Sequence, residues 1–348
     1  MTAASSIRVL VVDDSAFARK VLRQVLANAP GLEVVGTARD GLDALEKVAE
    51  LAPDVLTLDL VMPGLDGLGV LRALATTPGA PRVVVVSSVG EESELAVAAL
   101  QAGAVELVSK PTALATDRLY ELGGELVAKV RTAALAVARP PADVSLAGGA
   151  PSPSGVLAPS RRLVVVGTST GGPQALTRLL ATLPADFPAA VALALHIPTG
   201  YTEAVARRLN AHSPLEVVEA EDGMELRPGR VVLAKAGHHL KVERHGALSL
   251  ARLDRHPLRM PHHPSVDVLF ESAALTWGAD TVGVVLTGMG DDGLAGARAI
   301  RGAGGTVLTE AESSCVVYGM PRAVEEAGLA TDTAPLEKLV ALLERHVR

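Results

Sequence analysis

Three short stretches of this chain hold residue types suited to acyl transfer. GTSTG at 167–171 sets Ser169 among small residues, directly behind an apolar run. ALALHIP at 192–198 ends an apolar run on His196, and LTGMGDDGLAG at 286–296 offers Asp291 and Asp292 in a glycine-rich turn. A serine hydroxyl becomes a nucleophile when an imidazole takes its proton and an acid orients that imidazole. G-x-S-x-G is the pattern of a tight strand-to-helix turn that exposes the hydroxyl, with a helix N-terminus beyond it to favour negative charge. Other readings stand beside this one. A glycine-rich turn also binds phosphate, a strand-end histidine can be structural, and aspartates cap helices. Against them, no P-loop lysine follows the turn, and neither H-E-x-x-H nor a close helical histidine pair claims His196 for a metal.

A second constellation is acidic. Asp13 and Asp14 follow IRVLVV (7–12), Asp59 lies near the end of DVLTLDL (54–60), Ser87 ends RVVVVS (82–87), and Lys110 follows VELVS (105–109). Three carboxylates on one edge repel each other unless a hard cation with oxygen ligands joins them, and Mg²⁺ is the common choice. A carboxylate beside Mg²⁺, a lysine and a hydroxyl can accept a phosphoryl group, because metal and lysine neutralise the transferring oxygens.

The elements that must position these groups alternate. From residue 7 to about 137, five strand-like runs are separated by amphipathic segments such as 15–28 and 42–51, which predicts a parallel sheet flanked by helices. A second series follows, with strands expected at 162–167, 190–196, 230–234, 281–288 and 305–309, and a hairpin over 239–253 turning at His245-Gly246. In both series the chemistry falls at carboxyl ends of strands, where open α/β sheets bind ligands. Between them the chain is rich in Pro, Gly, Ser and Ala, as a linker is. With 348 residues and 49% apolar composition, two domains are expected. Aromatics are only 2%, so Val, Leu and Ala must fill the core. The net charge of −7 argues against nucleic acid as a partner. A single cysteine, Cys315, excludes an intrachain disulfide and fits a reducing cytoplasm. The N-terminal stretch lacks a signal-peptide pattern, and no apolar run is long enough for direct membrane insertion.

VVDDSAFARKVL, LTLDLVMPGLDG, VVVVSS and GAVELVSKP resemble the receiver domain of bacterial two-component response regulators, over residues 7–112. The resemblance implies a flavodoxin-like five-stranded parallel domain at 5–125, with a last helix reaching 137. It also implies that Asp59 is the phosphoacceptor. Asp14, Asp59 and the Val61 carbonyl would bind Mg²⁺, with Asp13 acting through water, and Ser87 and Lys110 would be switch residues. Leu107 departs from the pattern, standing where an aromatic switch residue is usual.

VVVGTSTGGPQAL, ALHIPTGYTEAVARRLN, HHPSVDVLFESAA, VVLTGMGDDGLAGARAI and SSCVVYGMPRAVEEAG, among others within 162–345, resemble the catalytic domain of the chemotaxis protein-glutamate methylesterases. This resemblance implies a doubly wound, mostly parallel α/β hydrolase at 161–348 with an antiparallel hairpin, after a linker at 138–160. It implies Ser169 as nucleophile, His196 as general base and acid, and Asp292, rather than Asp291, as the orienting acid. Backbone N–H groups of Thr170 and Met289 are expected to hold the oxyanion. The substrate would be a glutamate γ-methyl ester on a methyl-accepting chemoreceptor, with glutamine deamidation as a second activity. No cofactor is expected for the esterase, and a chemotaxis histidine kinase would supply the phosphoryl group. An unphosphorylated receiver would hold the hydrolase in check. The rival is a phosphorylation-controlled docking module without catalysis. Leu195 and the loop 234–240 depart from the family pattern and are expected to shape the substrate groove. Thr168 stands where Ala is frequent.

Overall fold

A computed structural model of the protein describes residues 6–88, 90, 93–110, 123–137, 162–246 and 248–348. The linker expected at 138–160 lies outside them. The chain divides into two compact units, 1–141 and 142–348.

The first unit runs β1 (Ile7–Val12), α1 (Ala16–Ala27), β2 (Leu32–Ala38), α2 (Gly41–Leu51), β3 (Val55–Leu58), α3 (Gly67–Ala75), β4 (Arg82–Ser88), α4 (Ser93–Gln101), β5 (Glu106–Lys110) and α5 (Gly123–Leu135). The strands form one parallel sheet in the order β2-β1-β3-β4-β5. They are apolar runs because both faces are covered, and β1 and β3 are almost wholly buried. Helix α1 starts where the Ser15 hydroxyl accepts from the Ala18 N–H, and it buries Val21, Leu22 and Leu26 on one face. The chain leaves β1 toward β2 on one side and returns to β3 on the other. The carboxyl ends of β1 and β3 therefore bound the crevice where the winding reverses.

The second unit runs β6 (Leu163–Thr168), α6 (Gly172–Thr182), β7 (Ala190–Leu195), α7 (Thr202–His212), β8 (Glu216–Glu219), β9 (Arg230–Leu233), β10 (His239–His245) and β11 (Leu248–Asp254). It continues through α8 (Val266–Trp277), β12 (Thr281–Val285), α9 (Leu294–Gly302), β13 (Thr306–Glu310), α10 (Met320–Glu326), β14 (Asp332–Ala334) and α11 (Leu336–Val347). Seven strands form a parallel sheet in the order β14-β13-β12-β6-β7-β9-β8, and β10 and β11 pair as a separate antiparallel hairpin. The doubly wound reading holds, with two short strands added at the edges: β8 and β14, of four and three residues.

Alternation along the strands divides the core. Leu163 and Val165 of β6, with Ala190, Ala192 and Ala194 of β7, pack with Leu269, Phe270 and Ala273 of α8. On α6, Leu176, Leu179 and Leu180 are buried, and this helix lies against α7 and α11. Winding reverses between β6 and β12, adjacent strands in the centre of the sheet. Among the described residues, no helix is long and apolar enough to cross a membrane.

Candidate active site

Ser169 follows β6, His196 follows β7 and Asp292 lies in the turn after β12, so three adjacent strands deliver the three groups to one edge. The backbone knits these ends together: His196 N–H donates to the Thr168 carbonyl at 3.1 Å, and Ser169 N–H to the Thr287 carbonyl at 3.1 Å. The turn after Ser169 needs glycine. Gly171 has φ of 78°, and a Cβ there would stand 2.6 Å from Val316 Cβ. Gly288 serves the close approach of the two loops, since its Cβ would lie 2.8 Å from Ser169 Cβ.

Thr287 holds the two turns in register. Its hydroxyl lies 3.0 Å from the Thr170 carbonyl and accepts the N–H groups of Val316 and Val317. Its N–H donates to the fully buried carboxylate of Glu310 at 2.8 Å. The Thr168 hydroxyl donates to the Thr287 carbonyl at 2.7 Å, a bond that Ala in its place could not make. Cys315 is 1% exposed beneath this network, with Sγ 3.6 Å from the Glu310 carbonyl.

His196 Nε2 lies 2.8 Å from Asp292 Oδ2. An ionised carboxylate only accepts, so Nε2 carries the proton and Nδ1 is the ring's basic nitrogen. Nδ1 is buried and has no hydrogen-bond partner. Ser169 is half-buried, and its hydroxyl is not hydrogen-bonded to this nitrogen; such bonds commonly tighten only when substrate is bound.

Asp292 also accepts from Ser265 Oγ at 3.0 Å, Val266 N–H at 2.8 Å and Asp267 N–H at 2.9 Å. Burial pushes its carboxyl up, but the hydrogen bond and charge of His196 and the two backbone N–H groups outweigh it, and the pKa is lowered to about 2. Asp291 is exposed, and of the two acids that the sequence offers it is Asp292 that meets His196. Asp267, by contrast, is raised to about 6, chiefly by burial, with the charges of Asp292 and Glu271 adding to it.

Several groups around the site were not expected from the sequence. His262 stacks on His196 with ring centroids 4.0 Å apart and planes at 18°. His239, fully buried, accepts the Ser265 N–H on Nδ1 and packs against His263. A run of polar loop residues hides such contacts, because 66 positions separate His196 from His262. The stack leaves the His196 ring fewer orientations. A stacked ring pair contributes about 1 kcal/mol, so if His196 acts as a general base His262→Ala is expected to lower kcat by about fivefold with KM little changed, measured by steady-state turnover. Leu195 departs from its expected role. It is fully buried with its side chain against Gly172, so it fills the core rather than shaping a groove.

In the first unit Asp13 and Asp59 sit across the β1/β3 crevice. Lys110 Nζ lies 2.7 Å from a carboxylate oxygen of each. Asp13, Asp14 and Asp59 offer one oxygen each within 4.8 Å of one another. Three carboxylates against one lysine leave surplus negative charge. Burial and the Asp13 charge raise the Asp59 pKa, against the pull of Lys110. A set of hard oxygens with unbalanced charge fits a divalent cation such as Mg²⁺. Ser87 is buried at the end of β4, next to Ser88, which is in register with Lys110. Val61 lies two residues beyond Asp59 with its side chain exposed. Leu107 is buried, and its carbonyl accepts from Lys129 Nζ.

Comparison with known proteins bears on both units. Residues 164–343 match the family described as CheB methylesterase, and residues 9–121 the response regulator receiver domain. Protein-glutamate methylesterase/protein-glutamine glutaminase 5 of Myxococcus xanthus is 80% identical, over 100% of both chains. A protein-glutamate methylesterase/protein-glutamine glutaminase of Symbiobacterium thermophilum is 44% identical, over 98% of this chain and 97% of its own. The crystal structure of the Thermotoga maritima CheB methylesterase catalytic domain has 39% identity and a TM-score of 0.52, covering 53% of this chain and 97% of that one.

Proposed function

We propose, for a chain that belongs to the CheB methylesterase family and carries a receiver domain, that Ser169, His196 and Asp292 are the triad of a phosphorylation-regulated protein-glutamate methylesterase. One observation carries the residue roles. The 2.8 Å bond from His196 to Asp292 leaves one basic nitrogen at the strand-switch edge, beside the turn that carries Ser169.

In this reading Nδ1 of His196 takes the Ser169 proton as the hydroxyl attacks the γ-carbonyl of the methyl ester. The N–H groups of Thr170 and Met289 hold the oxyanion. The C–OCH₃ bond breaks, and methanol leaves with the proton from His196. Water, deprotonated by the same nitrogen, then attacks the acyl carbonyl, the C–Oγ bond breaks, His196 returns the proton to Ser169 Oγ, and a glutamate carboxylate is left. A receptor glutamine would follow the same path with ammonia leaving. The substrate is a methyl-accepting chemoreceptor, and the enzyme works in the cytoplasm, as its single reduced thiol suits. No cofactor enters the esterase steps.

Asp59 is the phosphoacceptor, with a chemotaxis histidine kinase as donor. Mg²⁺, held by Asp14, Asp59 and the Val61 carbonyl, and by Asp13 through water, would neutralise charge on the transferring phosphoryl group. Lys110 adds positive charge to both Asp13 and Asp59. Ser87 and Lys110 carry the switch. Receiver, linker and hydrolase occupy 5–125, 138–160 and 161–348.

The test is methanol release from a methylated receptor fragment, with and without acetyl phosphate and Mg²⁺. Wild type should release methanol faster with the phosphodonor. Asp59→Asn should keep the resting rate and lose the stimulation. Stimulation that survives in Asp59→Asn removes Asp59 from its role. No release from wild type under either condition returns the second unit to a docking module.

A further inference from the structure

Two helix N-termini in the hydrolytic unit exchange caps. The turn after β12 sends the Asp292 carboxylate onto the start of α8, where Ser265 Oγ, Val266 N–H and Asp267 N–H donate to it. In return the Asp267 carboxylate, from the first turn of α8, reaches the start of α9. There Oδ1 accepts the Gly293 N–H at 2.9 Å and the Gly296 N–H at 2.7 Å. Each acid closes the turn that carries the other. Gly293 directly follows Asp292 and has φ of 105°, so the peptide that positions Asp292 sits in a conformation that other residues rarely adopt. The Asp267 oxygen is the side-chain acceptor that pins it there. A Cβ at Gly296 would stand 2.4 Å from Phe270 Cβ, so α8 and α9 are in closest packing where the caps cross.

We propose that Asp267 is a positioning residue for the esterase: its two hydrogen bonds hold the turn that presents Asp292 to His196. The inference rests on the triad reading of Asp292. Without Asp267, the N–H groups of Gly293 and Gly296 must find water, and the 290–293 turn is free to relax. A displacement of about 1 Å at a catalytic group can cost on the order of 100-fold in rate. Both N–H groups use Oδ1, so the amide oxygen of an asparagine can take them and keep the turn.

The experiment uses the full chain and two readouts. One is kcat and KM for methanol release at pH 7.5. The other is the low-field proton resonance of the Nε2–H in the His196–Asp292 bond, which needs no turnover. Asp267→Ala should lower kcat by about 10- to 100-fold with KM nearly unchanged, and should weaken or broaden the resonance. Asp267→Asn should restore most of both. An alanine variant with full kcat and an undiminished resonance overturns the proposal, whatever its melting temperature, because Asp267 is then a helix cap and no more. Should the alanine variant fail to fold, asparagine decides. A folded Asp267→Asn protein that loses kcat while the resonance persists overturns it also. Asp292→Ala is measured alongside. If that variant keeps both activity and resonance, the triad reading itself has failed, independently of Asp267.

Discussion

Ser169→Ala is expected to abolish methanol release, with a loss on the order of 10⁶ in kcat, because serine and imidazole act as one unit and removing either removes the covalent path. The variant should fold as wild type does. Ser169 is half-buried, its backbone N–H and carbonyl keep their bonds to Thr287 and Gly172, and a methyl group occupies no new volume. His196→Ala should lose activity to the same extent, and the double variant should lose no more than either single one. A comparison at saturating substrate separates this from weakened binding, since KM should move little. Substantial release from Ser169→Ala would mean that the acyl group is never carried on this hydroxyl.

Asp292→Ala is expected to cost less, on the order of 10⁴ in kcat, because on the proposed roles the oxyanion donors and the nucleophile remain while the imidazole loses its orienting partner. It should also change stability in a pH-dependent way. Burial opposes ionisation of Asp292, yet its hydrogen bonds lower the folded-state pKa from the ordinary 3.8 to about 2. A carboxyl depressed on folding stabilises the fold above the unfolded pKa and loses that contribution as pH falls through the folded one. The contribution is about 2 kcal/mol. Wild type should therefore exceed Asp292→Ala in denaturant stability at pH 7, and the gap should begin to close below about pH 4. A gap that is constant from pH 7 to pH 3 would show that the carboxylate is not held in its ionised form.

Much of this site can be read in the linear chain, for a physical reason. Ser169 and His196 in one sheet, and Asp59 and Lys110 in the other, each stand at the end of an apolar run that a parallel sheet must bury, so the runs alone bring each pair to the carboxyl edge of its own sheet. The strands that periodicity omits, β8 and β14, lie at the sheet margins and are too short to repeat a pattern. What surrounds Ser169, His196 and Asp292 is legible only in part. Ser265 and Asp267 look like the N-cap and first turn of an ordinary helix, and they are that. Nothing local tells that the acid filling this cap comes from a turn 25 to 27 positions away. His262 is hidden for the same reason, since ring stacking leaves no trace in spacing. Thr287 and Glu310 read as strand-end residues, and the bonds from Glu310 to Thr287 and from Thr287 to the Ser169 turn follow from the order β13-β12-β6.

The burial of Cys315 has a practical consequence. The chain has one thiol, and it lies beneath the loop whose Val316 packs against the Gly171 turn. A shielded thiol reacts only when its surroundings part. The speed at which a colorimetric disulfide reagent consumes it is thus a clock for the breathing of the Ser169 turn. The same shielding leaves the exterior silent toward such reagents. A cysteine introduced at any exposed position can carry a fluorophore or spin label without first removing the native one.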